Sequence, residues 1–138
     1  MRFWDSSALT PLLVDEAESV DREQALAEDS GIVVWYATPA EIESAIARRG
    51  REGMPTSVER AARARLRVLA ASWYEVQPTN AVRERAIRLL RVHPLRAADA
   101  FQLAAALIAF REQPADAAFL TGDERLRRAA EREGFDVR

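Results

Sequence analysis

The stretch Ala97-Ala-Asp-Ala-Phe-Gln-Leu-Ala-Ala-Ala-Leu-Ile-Ala-Phe110 constrains this chain most, because it reads as a helix that is apolar on almost every side. Such a helix is buried in a core or a membrane, and its fourteen residues fall short of the roughly twenty that cross a bilayer. The rest of the chain has to pack around it. Asp99 and Gln102 are its only polar residues, and a buried carboxylate is costly unless a cation, hydrogen bonds or the helix dipole compensate it. Two readings stay open. Asp99 and Gln102, three apart, form a narrow wet stripe in the first turn after His93-Pro94, or Asp99 is a metal ligand.

The 138 residues, 49% hydrophobic with a formal net charge of −2, suit a single domain over residues 1–138 with one core. No apolar run reaches membrane-spanning length, and the opening Met-Arg-Phe-Trp-Asp lacks the basic region and long apolar segment of an export signal. A cytoplasmic location is expected, with no membrane partner. Without cysteine, and with His93 as the single histidine, thiolate sites are excluded, and zinc sites and histidine-based triads are disfavoured. A catalytic metal would have to be held by oxygen, which points to Mg²⁺ or Mn²⁺.

Charge is unevenly spread. Residues 15–29 carry seven acids against Arg22 alone, and residues 48–67 carry seven arginines against Glu52 and Glu59. Arginine's planar donor fork suits phosphate, although a charged solvated helix face looks the same in sequence.

The chain alternates strands and helices. Residues 2–5 form a short buried strand ending on Asp5, where Ser6 and Ser7 also allow a plain N-cap role. An acidic helix over 17–29 precedes the strand Ile32–Tyr36. Thr38-Pro-Ala-Glu41 matches a capping box, opening a helix to about Arg49 before Gly50, with Glu43 on a different face from Glu41. A second box, Thr56–Glu59, opens a long helix with Ala62, Leu66, Leu69 and Ala70 at helical spacing. A strand at 73–76 and an amphipathic helix after Pro78, with Val82, Ala86, Leu89 and Leu90 on one side, lead to His93-Pro94. Beyond the central helix, Ala117–Thr121 is a core strand, and a third box, Thr121–Glu124, starts a helix over 124–133 that closes at Gly134. This order predicts a parallel α/β/α sandwich.

Asp5, Glu41 and Asp123 each fall at or just beyond a strand's C-terminal edge, where open α/β sheets bind ligands, and Asp99 is buried early in the central helix. Each has a structural explanation of its own. Four converging carboxylates, however, would raise one another's pKa unless a divalent cation sat among them, and phosphoryl transfer is the natural use of such a site.

Asp5-Ser6-Ser7 after a first strand, Glu41 with Ala45 four later, Leu95-Arg-Ala-Ala-Asp99-Ala, and Leu120-Thr-Gly-Asp123 followed by Gly134 together resemble the PIN-domain ribonucleases, specifically VapC-type toxins. The resemblance spans essentially the whole chain, and the set of motifs is more specific than any one of them. It implies a PIN-like three-layer sandwich around a central parallel sheet and an Mg²⁺- or Mn²⁺-dependent endoribonuclease acting as a bacterial toxin. It further implies Asp5, Glu41, Asp99 and Asp123 as metal ligands and catalytic residues, Ser7 and Thr121 as supporting hydroxyls, a small antitoxin as partner, and homodimerisation. Arg48, Arg49 and Arg51 are candidates for contacting substrate phosphate or the antitoxin. Gly122, where many relatives have alanine, departs slightly from the pattern. A PIN-like binding module without catalysis and a phosphomonoester hydrolase are the alternatives; the latter usually wants Asp-x-Asp, and position 7 is serine.

Overall fold

Five short strands pair into one sheet in the computed structural model, which describes all 138 residues. The strands are β1 (Arg2–Trp4), β2 (Ile32–Trp35), β3 (Tyr74–Val76), β4 (Ala118–Leu120) and β5 (Asp136–Val137), in the spatial order β3-β2-β1-β4-β5 with every pair parallel. The helices are α1 (Ser6–Leu13), α2 (Ser19–Glu28), α3 (Thr38–Arg51), α4 (Thr56–Ala70), α5 (Asn80–Val92), α6 (Ala97–Ala109) and α7 (Glu124–Glu133), with a 3₁₀ turn at Pro114–Asp116.

Strand residues alternate between faces, and each face has its own core. Phe3, Val33, Trp35 and Phe119 pack against α5, α6 and α7, whereas Trp4, Ile32, Val34 and Leu120 pack against α1, α3 and α4. The Phe3 and Phe119 rings stack with centroids 5.2 Å apart. The apolar stretch that becomes α6 is buried as its composition requires, with Ala100 and residues 102–107 almost fully inaccessible. This is the expected three-layer α/β/α sandwich around a central parallel sheet. No helix is long and apolar enough to cross a membrane.

Several local expectations need correction. None of the three capping boxes forms. Helix α3 starts after Ala37 and α4 after Pro55, neither with a side-chain cap, while α7 is capped by Asp123 itself, whose Oδ1 accepts from Leu126 N at 2.8 Å. Other partners take these groups: Glu59 binds Arg63 one turn on in the same helix at 3.1 Å, and the Thr38 hydroxyl accepts from Gln102 at 3.2 Å. Helix α3 also runs through Gly50 to Arg51. A Cβ at Gly50 would lie 1.7 Å from Glu59 Oε1, so this glycine permits a close approach of α4 rather than a stop. Gly134, at φ 100°, does close α7 in the left-handed region. Asp5 opens a full helix, α1, which tolerates Pro11, and β5 is an edge strand of only two residues, below the length at which alternation can be read.

Candidate active site

The sheet order dictates where the site lies. From central β1 the chain builds outward through β2 to β3, then returns to the other side of β1 for β4 and β5. The C-terminal edge beside that reversal is the usual ligand crevice of a parallel sheet. Register supplies the first contact: Trp4 pairs with Leu120, so Asp5 and Thr121 leave the sheet side by side. Asp5 N donates to the Leu120 carbonyl at 3.0 Å, and the Thr121 hydroxyl donates to Asp5 Oδ2 at 3.0 Å.

Small hydroxyls tie the acids together. Thr121 Oγ1 also accepts from Asp123 N at 3.0 Å, linking the residues after β1 and β4. Ser7 donates to Asp5 Oδ2 and accepts from Gly122 N at 2.8 Å. Ser6 Oγ stands 2.8 Å from Glu41 Oε2 and 3.4 Å from Asp5 Oδ1; with one proton to give, it bonds Glu41. Asp5 remains the N-cap of α1, accepting from Ser7 N at 3.3 Å, so its capping role and its place in the cluster coexist. A Cβ at Gly122 would meet Ser7 Oγ at 3.5 Å, ordinary contact, so alanine fits there.

Glu41 does not bond back to Thr38. Its Oε2 accepts from Gln102 at 2.9 Å as well as from Ser6. Glu43 points elsewhere, gripped by Arg63 at 2.8 Å. Gln102 and Ser6 are the site neighbours that sequence reasoning missed. Gln102 is 1% exposed, not part of a wet stripe with Asp99, and an amide on an otherwise apolar buried helix was the available signal, since a buried amide needs partners.

Electrostatics mark the same group. Burial pushes the Asp5 carboxyl up, against the opposing pull of its Ser7 and Thr121 hydrogen bonds. Glu41 is raised by burial and by the nearby charges of Asp5 and Asp99; Asp99 is raised by burial, then by Asp123 and Asp5. Four like charges therefore sense one another across one edge of the sheet, although no three acidic or histidine side chains stand in the tight arrangement of an assembled metal shell. The donors are all oxygen and mutually repelling, which is the chemistry a hard divalent cation relieves. The single histidine takes no part: it is buried at the end of α5, with Nε2 2.7 Å from Glu133 Oε1.

Two openings flank the acids. One, of about 360 Å³, is lined by Ser6, Ser7, Glu41, Arg22, Arg48 and Arg49, among others. The second, of about 490 Å³, is lined by Asp99, Asp123, Arg96 and Arg125, among others. Arg48 and Arg49 thus border the cluster, while Arg51 lines neither opening.

A family model described as the PIN domain matches residues 2–132. The structure is similar to that of PAE2754 from Pyrobaculum aerophilum, with a TM-score of 0.70 at 18% identity over 99% of this chain and 87% of that one. It is also similar to FitAcB from Neisseria gonorrhoeae, with a TM-score of 0.65 at 15% identity over 99% of this chain and 96% of that one. No curated protein matches the chain. With its parallel sheet, acidic crevice and near-complete match to the family model, the chain belongs to the PIN-domain family, a nuclease-type fold.

Proposed function

We propose that the chain is a metal-dependent endoribonuclease of the VapC type, a single domain over residues 1–138 that hydrolyses RNA phosphodiesters as the toxin of a toxin–antitoxin pair. The observation that carries this reading is the set of four acids at one sheet edge: Asp5, Glu41 and Asp123 are tied in through Ser6, Ser7 and Thr121, Asp99 is coupled to the others by charge, and Asp5, Glu41 and Asp99 have raised pKa. Such a group is poorly suited to stand as bare charges and well suited to hold Mg²⁺ or Mn²⁺. A bacterial cytoplasmic setting, an inhibitory small antitoxin and homodimerisation follow from the family resemblance.

In this reading Asp5 and Asp99 hold the principal ion, with Asp123 completing the set. When bound there, such an ion would lower the pKa of water and offset charge on the phosphate and leaving oxygen. Glu41 positions the attacking water and takes its proton. Its Oε2 is occupied by Ser6 and Gln102, which leaves Oε1 for the water. Burial and the neighbouring acids raise its proton affinity toward that of a useful base. A bond forms from water oxygen to phosphorus, a P–O ester bond breaks, and the released oxygen gains a proton. Ser7 and Thr121 hold Asp5 in one orientation throughout.

The test is cleavage of single-stranded or loop RNA. Activity with Mg²⁺ or Mn²⁺ that stops in EDTA, together with no turnover of a generic phosphomonoester, is expected. Cleavage that persists in EDTA would overturn the mechanism; phosphomonoester turnover without RNA cleavage would favour the phosphatase alternative, and neither activity would favour a binding module.

A further inference from the structure

Arg22 is the only buried arginine of the chain, 8% exposed in the middle of the acidic helix α2. A buried guanidinium normally has a carboxylate in contact. Arg22 has none among the ion pairs of the molecule; its sole side-chain hydrogen bond runs from Nη2 to the Thr121 carbonyl at 2.9 Å, and its buried Nε has no partner. The planar fork of donors is therefore largely unspent.

Its position gives those donors a use. Arg22 lines the 360 Å³ cleft that also holds Ser6, Ser7, Glu41, Arg48 and Arg49, so three arginines border the acids from one side. Arg49 is already oriented, bound to Glu16 at 2.8 Å, whereas Arg48 is exposed and makes no ion pair. Glu18, also on the cleft wall, and Asp21 offset part of the Arg22 charge from a distance without using its donors.

We propose that Arg22, Arg48 and Arg49 form a phosphate subsite in this cleft, holding a backbone phosphate of single-stranded RNA next to the bond that is cut. This rests on the ribonuclease reading and adds to it the place where the substrate's flanking backbone is gripped. Arg22 forms the fixed floor, anchored to the strand end that carries Thr121, and Arg48 closes from the rim. Because Thr121 also binds Asp5, the floor of the subsite and the ligand cluster share one rigid strand end.

The experiment measures binding of a fluorescent single-stranded RNA of mixed sequence, with Mg²⁺, to a non-cleaving Glu41→Gln parent across a salt series. For single strands the slope of log K against log salt changes by about 0.7 per phosphate contact. Arg22→Gln and Arg48→Gln, each added to the parent, are expected to flatten the slope by about 0.7 and weaken binding several-fold at low salt; Arg88→Gln, exposed on α5 and lining neither opening, is expected to leave the slope unchanged. Thermal melts report whether Arg22→Gln is folded; if it is not, exposed Arg48 decides alone. A folded variant whose slope equals the parent's overturns the subsite while leaving the nuclease reading intact. A parent that binds no RNA overturns both.

Discussion

The two halves of the acidic crevice are built differently. Asp5 is 4% exposed and receives hydrogen bonds from Ser7 and Thr121, and Glu41 receives them from Ser6 and Gln102. Asp99 and Asp123 are half-buried and face the wider 490 Å³ opening. Asp99 has a backbone hydrogen bond and the charge of Arg96 but no side-chain donor, and Asp123 uses an oxygen to cap α7. A carboxylate held by donors keeps its direction without metal, whereas one that faces mainly like charges depends on a counter-ion. Substitutions in the first half should therefore disturb chemistry through orientation, and those in the second should disturb metal binding with little harm to the metal-free fold.

The largest effect is expected at Glu41. Glu41→Gln should lower cleavage of RNA by about 10²–10⁴-fold, the usual contribution of a general base, while Glu43→Gln, removed to the Arg63 pair, should leave it within a factor of a few. Equal losses in rate assays would erase the distinction between the two faces of α3.

Next in size is the metal response at Asp99. Asp99→Asn should be neutral or stabilising in EDTA, because it relieves repulsion and desolvation together. Wild type should gain from Mn²⁺ by mass action, about 2.7 kcal/mol at a hundredfold excess over Kd, and the variant much less. In EDTA, pH sharpens the point. Asp99 has a raised pKa when folded, so between the ordinary carboxylate value and the raised one the folded state binds more protons, and stability falls as pH rises through that window. Asp99→Asn removes this contribution, so the stability difference between variant and wild type should widen in the variant's favour as pH rises. Thermal melts with EDTA and with Mn²⁺ at several pH values read both effects; parallel responses would take Asp99 out of the site.

A smaller loss is expected at Gln102. Gln102→Met keeps the volume and removes the donor to both Glu41 and Thr38, so kcat should fall, by less than for Glu41→Gln, and the melting temperature should fall with it, since a hydrogen bond to a charged group contributes about 1.5–3 kcal/mol to stability. An unchanged kcat would show that Glu41 does not depend on this donor, and the contrast between the halves would weaken accordingly.

Much of this arrangement is legible in the sequence because it rests on patterns with a fixed period. The apolar helix at 97–110, the strand runs at 32–36 and 117–121 and the positions of the four acids survive almost unchanged in α6, β2, β4 and the crevice. Several of the misreadings share one cause, which is competition between local and distant partners. Thr38 and Glu41 have the spacing of a capping box, yet both turn to Gln102, more than sixty residues away. Gly50 has the look of a helix stop until Glu59 is brought against it. Ser6 and Ser7 sit side by side, and only the fold sends one hydroxyl to Glu41 and the other to Asp5. Nothing in the local sequence of α2 marks Arg22 as the arginine that goes inside.

The smallest effect separates two duties of a single residue. Asp123 Oδ1 caps α7 through Leu126 N at 2.8 Å, and the carboxylate also acts on Asp99, raising its pKa. Asparagine caps a helix about as well as aspartate, so Asp123→Asn should change the metal-free melting free energy by no more than a few tenths of a kcal/mol, whereas Asp123→Ala should cost about 0.5–2 kcal/mol. Neither variant supplies a charged ligand, so both should lose the same part of the Mn²⁺-induced stabilisation. Melts of the two variants with EDTA and with Mn²⁺ therefore form a two-by-two comparison. If Asp123→Asn keeps the full metal response, Asp123 is a helix cap alone, and the exposed half of the crevice is left with Asp99 as its only ligand.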